Sequence, residues 1–78
     1  MSNIEKYQQA FKEVFMVEEE KLSDLKYQSI PEWDSVGHMA LMATIEEAFD
    51  ISLDMDDVID FSSYEHGKQL LNKYGIKF

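Results

Sequence analysis

An all-α fold, a small antiparallel four-helix bundle of three main helices and one short helix with a long first loop, is predicted by two features of this 78-residue chain. Apolar residues recur at intervals of three and four in three separate stretches, the spacing of one helix face. Each stretch is preceded by serine or aspartate, whose side chains accept hydrogen bonds from the open N–H groups of a first turn. A chain this short makes a single domain, expected to span residues 1–78, and buries only about 60% of the surface its unfolded form exposes.

The first helix is expected over about residues 3 to 16. Ser2 and Glu5 stand three apart as a capping box, and Ile4, Tyr7, Phe11, Val14 and Phe15 form the apolar stripe. These aromatics read as core. Residues 17–34 show no sustained periodicity and are expected as a loop pinned to the bundle by Leu22, Leu25, Tyr27, Ile30 and Trp33. Trp33, just before the next cap, reads as a hydrophobic staple.

The second helix is the centre of the chain. Asp34 and Ser35 are both favoured N-caps, and Pro31 cannot extend a helix backwards, so the helix starts at one of them and runs to Phe49. Ser35 then lies where open N–H groups and the positive end of the helix dipole meet, a setting that stabilises an attached anionic group. His38, Leu41, Met42, Ile45 and Phe49 form the inward stripe. The opposite face, Val36, Met39, Ala40, Ala43, Glu46, Glu47 and Asp50, is apolar beside Ser35 and acidic further along. A solvated face is normally polar, so this one reads as a docking surface.

Asp50-Ile51-Ser52-Leu53-Asp54 is expected as a short extended connection with Ile51 and Leu53 turned inward. A short helix follows from Asp56 to Asp60 or Phe61, with Asp56 and Asp57 in its first turn, where the dipole favours acids. Ser62 and Glu65 suggest a second capping box ahead of the last helix, whose stripe is Leu70, Leu71 and Tyr74 and whose terminator is Gly75. Gly67 costs about 1 kcal/mol relative to alanine inside a helix, which points to a close helix crossing.

The net charge is −9, from 16 acids against 7 bases, and every base is a lysine. No lysine or arginine lies between Lys26 and Lys68, an interval holding ten acids, so the chain is expected to repel nucleic acid and anionic lipid and to attract basic partners. There is no cysteine, hence no disulfide or thiolate metal site. With no apolar run near the roughly 20 residues of a membrane span and no signal-peptide pattern at the start, a cytoplasmic monomer without membrane contact is the expectation.

Two other chemistries fail on spacing. A calcium loop starting at Asp50 would put Met55 at the glycine position and Phe61 at the bidentate glutamate; one starting at Asp54 would put Val58 and Ile59 in the middle. A hydrolase pairing Ser35 with His38 is opposed by the helical wheel, which turns His38 inward and Ser35 outward, and by the lack of a nucleophile elbow. His38 is expected to be a partly buried residue hydrogen-bonded to the bundle.

Asp34-Ser35-Val36, followed at fixed spacing by Leu41, Glu46-Glu47 and Phe49, resembles the attachment motif of the acyl carrier proteins. The similarity continues through Ile51, Leu53, Asp56-Asp57 and Ser62-Ser63 and so spans nearly the whole chain. It implies that Asp34 and Ser35 form the cofactor site, with 4'-phosphopantetheine on the Ser35 hydroxyl carrying acyl or aminoacyl groups as thioesters, and that the protein is not itself an enzyme. It also implies a phosphopantetheinyl transferase, an acyl-loading ligase and downstream acyl-using enzymes with basic docking surfaces as partners. These would dock on Val36, Met39, Ala43, Glu46, Glu47 and Asp50. The expected acyl cleft is Met42, Ile45, Ile59 and Phe61, and the pathway is fatty-acid, polyketide or another specialised biosynthesis. Gly37 and Ala40 stand where housekeeping members place acids, a departure that favours a specialised carrier. The other reading of the same face is an unmodified acidic interaction module that binds a basic partner.

Overall fold

The capping box at the start of the chain forms as the spacing predicts: Ser2 accepts from the Glu5 N–H, and Glu5 reaches back to the Ser2 N–H. In the computed structural model, which describes residues 2–78, these contacts open α1 (Asn3–Phe15). Its stripe of Tyr7, Ala10, Phe11 and Phe15 is buried. The helix ends on Met16, which takes the left-handed conformation at φ 55° and is almost fully exposed. Three further α-helices follow: α2 (Ser35–Phe49), α3 (Met55–Asp60) and α4 (Tyr64–Asn72). The chain is thus an all-α bundle, with its most extensive helix-to-helix contact between α1 and α2.

Residues 17–34 are more ordered than expected. They contain a 3-10 helix, Glu19–Asp24, which seats Leu22 in the core and contacts both α1 and α4. Six residues of 3-10 helix carry no 3.6-residue repeat, so periodicity could not reveal it. Leu25 and Trp33 are buried and Ile30 is half-buried, as befits pins. Tyr27 is not a pin but an exposed side chain. The segment is held instead by its backbone, since the Tyr27 N–H donates to Ser62 O at 2.9 Å and the Tyr64 N–H to Leu25 O at 3.0 Å. Among the described residues there is no strand beyond this isolated bridge.

The last helix is capped one residue later than expected. Ser63, not Ser62, accepts from the His66 N–H at 3.0 Å, so His66 occupies the position of the reciprocal acid and no capping box forms. Glu65 pairs with Lys68 instead. Gly67 makes room for aromatic side chains and not for the close helix crossing its position suggested: a Cβ there would overlap the Tyr7 hydroxyl and lie 2.7 Å from Cε1 of Phe61. Gly75 turns the chain at φ 84°. The buried residues form one cluster, with Tyr7, Phe11, Phe15, Trp33, Phe61 and Tyr64 in edge-to-face, tilted and stacked contacts through its middle.

Candidate functional site: Ser35 and the adjoining groove

The Asp34 side chain accepts from the Gly37 N–H at 2.8 Å, which fixes Ser35 as the first residue of α2. Ser35 is exposed, and its Oγ lies 3.2 Å from the Tyr27 hydroxyl. Gly37 has no room for a side chain. A Cβ there would overlap the carbonyl oxygen of Glu32 and sit 3.2 Å from Cε1 of Phe15, so the preceding loop lies directly on the first turn. Glycine at residue 37 is therefore a packing requirement, whereas Ala40 is exposed.

His38 is inward, as the helical wheel predicts, with both ring nitrogens bonded. Trp33 Nε1 donates to Nδ1 at 2.9 Å, and since an indole N–H only donates, Nδ1 is the bare nitrogen. Nε2 carries the proton and donates to Val58 O on α3 at 2.7 Å. A histidine with both nitrogens committed and its ring beneath the surface is a strut between α2 and α3, not a base for Ser35.

Beside Ser35 opens a groove of about 380 Å³. Met39 of α2, Met55, Val58 and Ile59 of α3, and Phe61 and Ser62 beyond it form its walls together with Tyr27 and His38. No carboxylate or lysine lines it. Met55, Ile59 and Met39 are well exposed, as is Val36, three residues before Met39 on α2 and 79% exposed. The expected cleft is corrected in part. Ile59 and Phe61 do line the groove, but Met42 and Ile45 are 2% and 0% exposed and belong to the packed core.

The remaining α2 positions divide. Ala43, Glu47 and Asp50 are exposed. Glu46 is half-buried, and its Oε2 accepts from the Leu53 N–H at 2.7 Å, tying the connection after α2 back onto the helix. Asp50 ends α2 in the left-handed region at φ 55°.

No residue of α3 is fully buried, and polar ties hold it in place. Tyr74 donates to Asp57 and accepts from the Asp54 N–H at 3.0 Å; Lys73 bonds Asp57 at 2.8 Å; His66 meets Asp60 at 2.9 Å. The hydrogen bonds from Lys73 and then Tyr74 hold the Asp57 carboxyl below the usual carboxylate range. The same bonds raise Lys73 and Tyr74 above theirs. Among the described residues no three His, Asp or Glu side chains converge on a possible metal position, and no helix is long and apolar enough to cross a membrane.

Tyr27, Met55, Val58 and Ser62 were missed by sequence reasoning as site residues. Met55 and Ile59, four apart on an acidic helix, were a readable signal of an exposed apolar edge. Tyr27 had none, because a long-range backbone pairing positions it. Comparison with family models, curated proteins and solved structures finds no match to this chain.

Proposed function

We propose that this protein is a carrier: it holds acyl or aminoacyl groups as thioesters on a 4'-phosphopantetheine arm joined to Ser35, and it is not itself an enzyme. The observation that carries the reading is an exposed serine hydroxyl at the first residue of α2 beside a groove of about 380 Å³ with apolar walls. The residues present fit such a group. The hydroxyl is accessible, Tyr27 offers a donor beside it, and no carboxylate lines the groove in which an apolar chain would lie. The bound arm supplies a thiol, and the protein supplies its position, its tether and an apolar surface. A flexible tether raises the effective concentration of cargo at each enzyme the carrier meets.

Attachment requires a phosphopantetheinyl transferase using coenzyme A and a divalent metal. The acyl-loading ligase and the acyl-using enzymes would approach over Val36, Met39, Ala43, Glu47 and Asp50 with basic surfaces. The site of action proposed is the cytoplasm, and the state a monomer. Of the two departures that favour a specialised over a housekeeping pathway, only Ala40 retains weight, since Gly37 has its own steric cause.

The test is covalent. Incubation with a broad-specificity transferase and coenzyme A is expected to add one phosphopantetheine to the intact mass, and Ser35→Ala to abolish the addition. An unmodified wild-type chain would favour the second reading, an acidic interaction module. That reading draws on the exposed Val36, Met39, Met55 and Ile59 flanked by acids.

A further inference from the structure

We infer that Tyr27 is a positioning residue for Ser35: its hydroxyl holds the serine Oγ before attachment and donates to the phosphodiester afterwards. The inference rests on the carrier reading. Its basis is the 3.2 Å contact between the two hydroxyls and the way Tyr27 is held. The Tyr27 N–H is bonded to Ser62 O, and the next residue, Gln28, sits at φ 66° with its N–H on Trp33 O, both at 2.9 Å. The ring stands edge-on to His38, centroids 5.4 Å apart. The backbone is thus fixed by two hydrogen bonds and the ring rests against His38, with the hydroxyl next to Ser35.

Charge explains why a phenol suits this position. A phosphodiester on Ser35 would lie next to the Asp34 carboxylate, which already takes the Gly37 N–H. No lysine lines the groove or pairs with Asp34. In the transfer, Ser35 Oγ bonds to the β-phosphorus of coenzyme A, the bond from that phosphorus to adenosine 3',5'-bisphosphate breaks, and the serine proton passes to a base on the transferase. Ser35 then has no proton to give, so Tyr27 becomes the donor of the pair. A neutral donor to a charged oxygen makes one of the stronger hydrogen bonds without adding a cation to a surface that basic partners approach.

Tyr27→Phe removes the hydroxyl and keeps the ring. With a transferase, coenzyme A and magnesium, the variant is expected to be modified with kcat/KM lowered about tenfold, the loss falling on kcat and not on KM for the carrier. The phosphorus-31 resonance of its holo form is expected to move, while the melting temperature stays put. In wild-type holo protein the Tyr27 ring protons should show nuclear Overhauser contacts to the pantetheine methylene next to the phosphate, a readout independent of any variant. Equal or faster modification with an unmoved phosphorus resonance, or absence of those contacts, overturns the role of Tyr27 and leaves the carrier reading intact. A wild-type chain that takes no phosphopantetheine overturns both.

Discussion

Trp33 and His38 are joined by a 2.9 Å hydrogen bond from indole to imidazole, and through His38 the loop before α2 is coupled to the backbone of α3. Because Trp33 is the donor, the ring must present a bare Nδ1 and a protonated Nε2. Nitrogen-15 shifts of the imidazole should report that tautomer. His38→Leu would orphan the Trp33 N–H and the Val58 carbonyl, each at a cost on the order of 1 to 3 kcal/mol. Urea denaturation should register the loss, and a stability equal to wild type would show that water replaces both partners freely.

Gly37→Ala sets two opposed effects against each other. Alanine favours a helix over glycine by about 1 kcal/mol, but its Cβ would overlap the Glu32 carbonyl, and overpacking of that kind costs about 1 to 3 kcal/mol. The overlap is with backbone, which cannot rotate away, so the expected sign is destabilising. A higher melting temperature would mean that the loop shifts more easily than its contacts indicate.

Glu46 and Glu47, adjacent in sequence, should behave differently. Glu46→Ala removes the acceptor of the Leu53 N–H and is expected to cost about 1 kcal/mol. Glu47→Ala is expected to change folding by less than about 0.5 kcal/mol. If Glu47 meets a basic partner, Glu47→Lys should slow association, with the wild-type rate falling as salt rises. Equal rates at low salt would reduce that acid to a solubilising role.

Stability should depend on pH through Asp57. Its carboxyl is held below the ordinary value of 3.8, so its contribution is complete above that pH and is lost as pH falls through the folded-state value. Lys73 and Tyr74 are raised above 10.5 and 10.0, so their share is complete below about pH 10 and is lost at higher pH. Urea midpoints of wild type and Asp57→Asn should therefore differ by a constant amount from about pH 5 to 9 and converge in acid. A gap that persists at pH 2 would assign the effect to packing.

The parts of this fold that were legible in the sequence are those set by local periodicity and caps. The stripe of Tyr7, Phe11 and Phe15 marked α1, and Asp34 after Pro31 marked the start of α2. What was illegible depends on distant parts of the chain. Tyr27 faces Ser35 because its backbone pairs with Ser62, 35 residues away, and no spacing rule reaches that far. Met42 and Ile45 were expected in a cleft, yet a helical stripe cannot tell filled core from open groove, and here both are buried in the core. Ser62 and Ser63 are equivalent as caps in sequence, and it is Ser63, the residue bridged to Lys26, that takes the His66 N–H.

Trp33 is the only tryptophan, wholly buried, with its ring stacked on Phe15 and its N–H bonded to the nearly coplanar ring of His38. The protein therefore contains its own fluorescent reporter, one ring away from the strut to α3 and the wall of the groove. Occupancy of the groove, or departure of α3 from its seat, should register in the emission wavelength and lifetime of this single indole. Titrations of a candidate ligand or partner can then be followed optically on unlabelled protein.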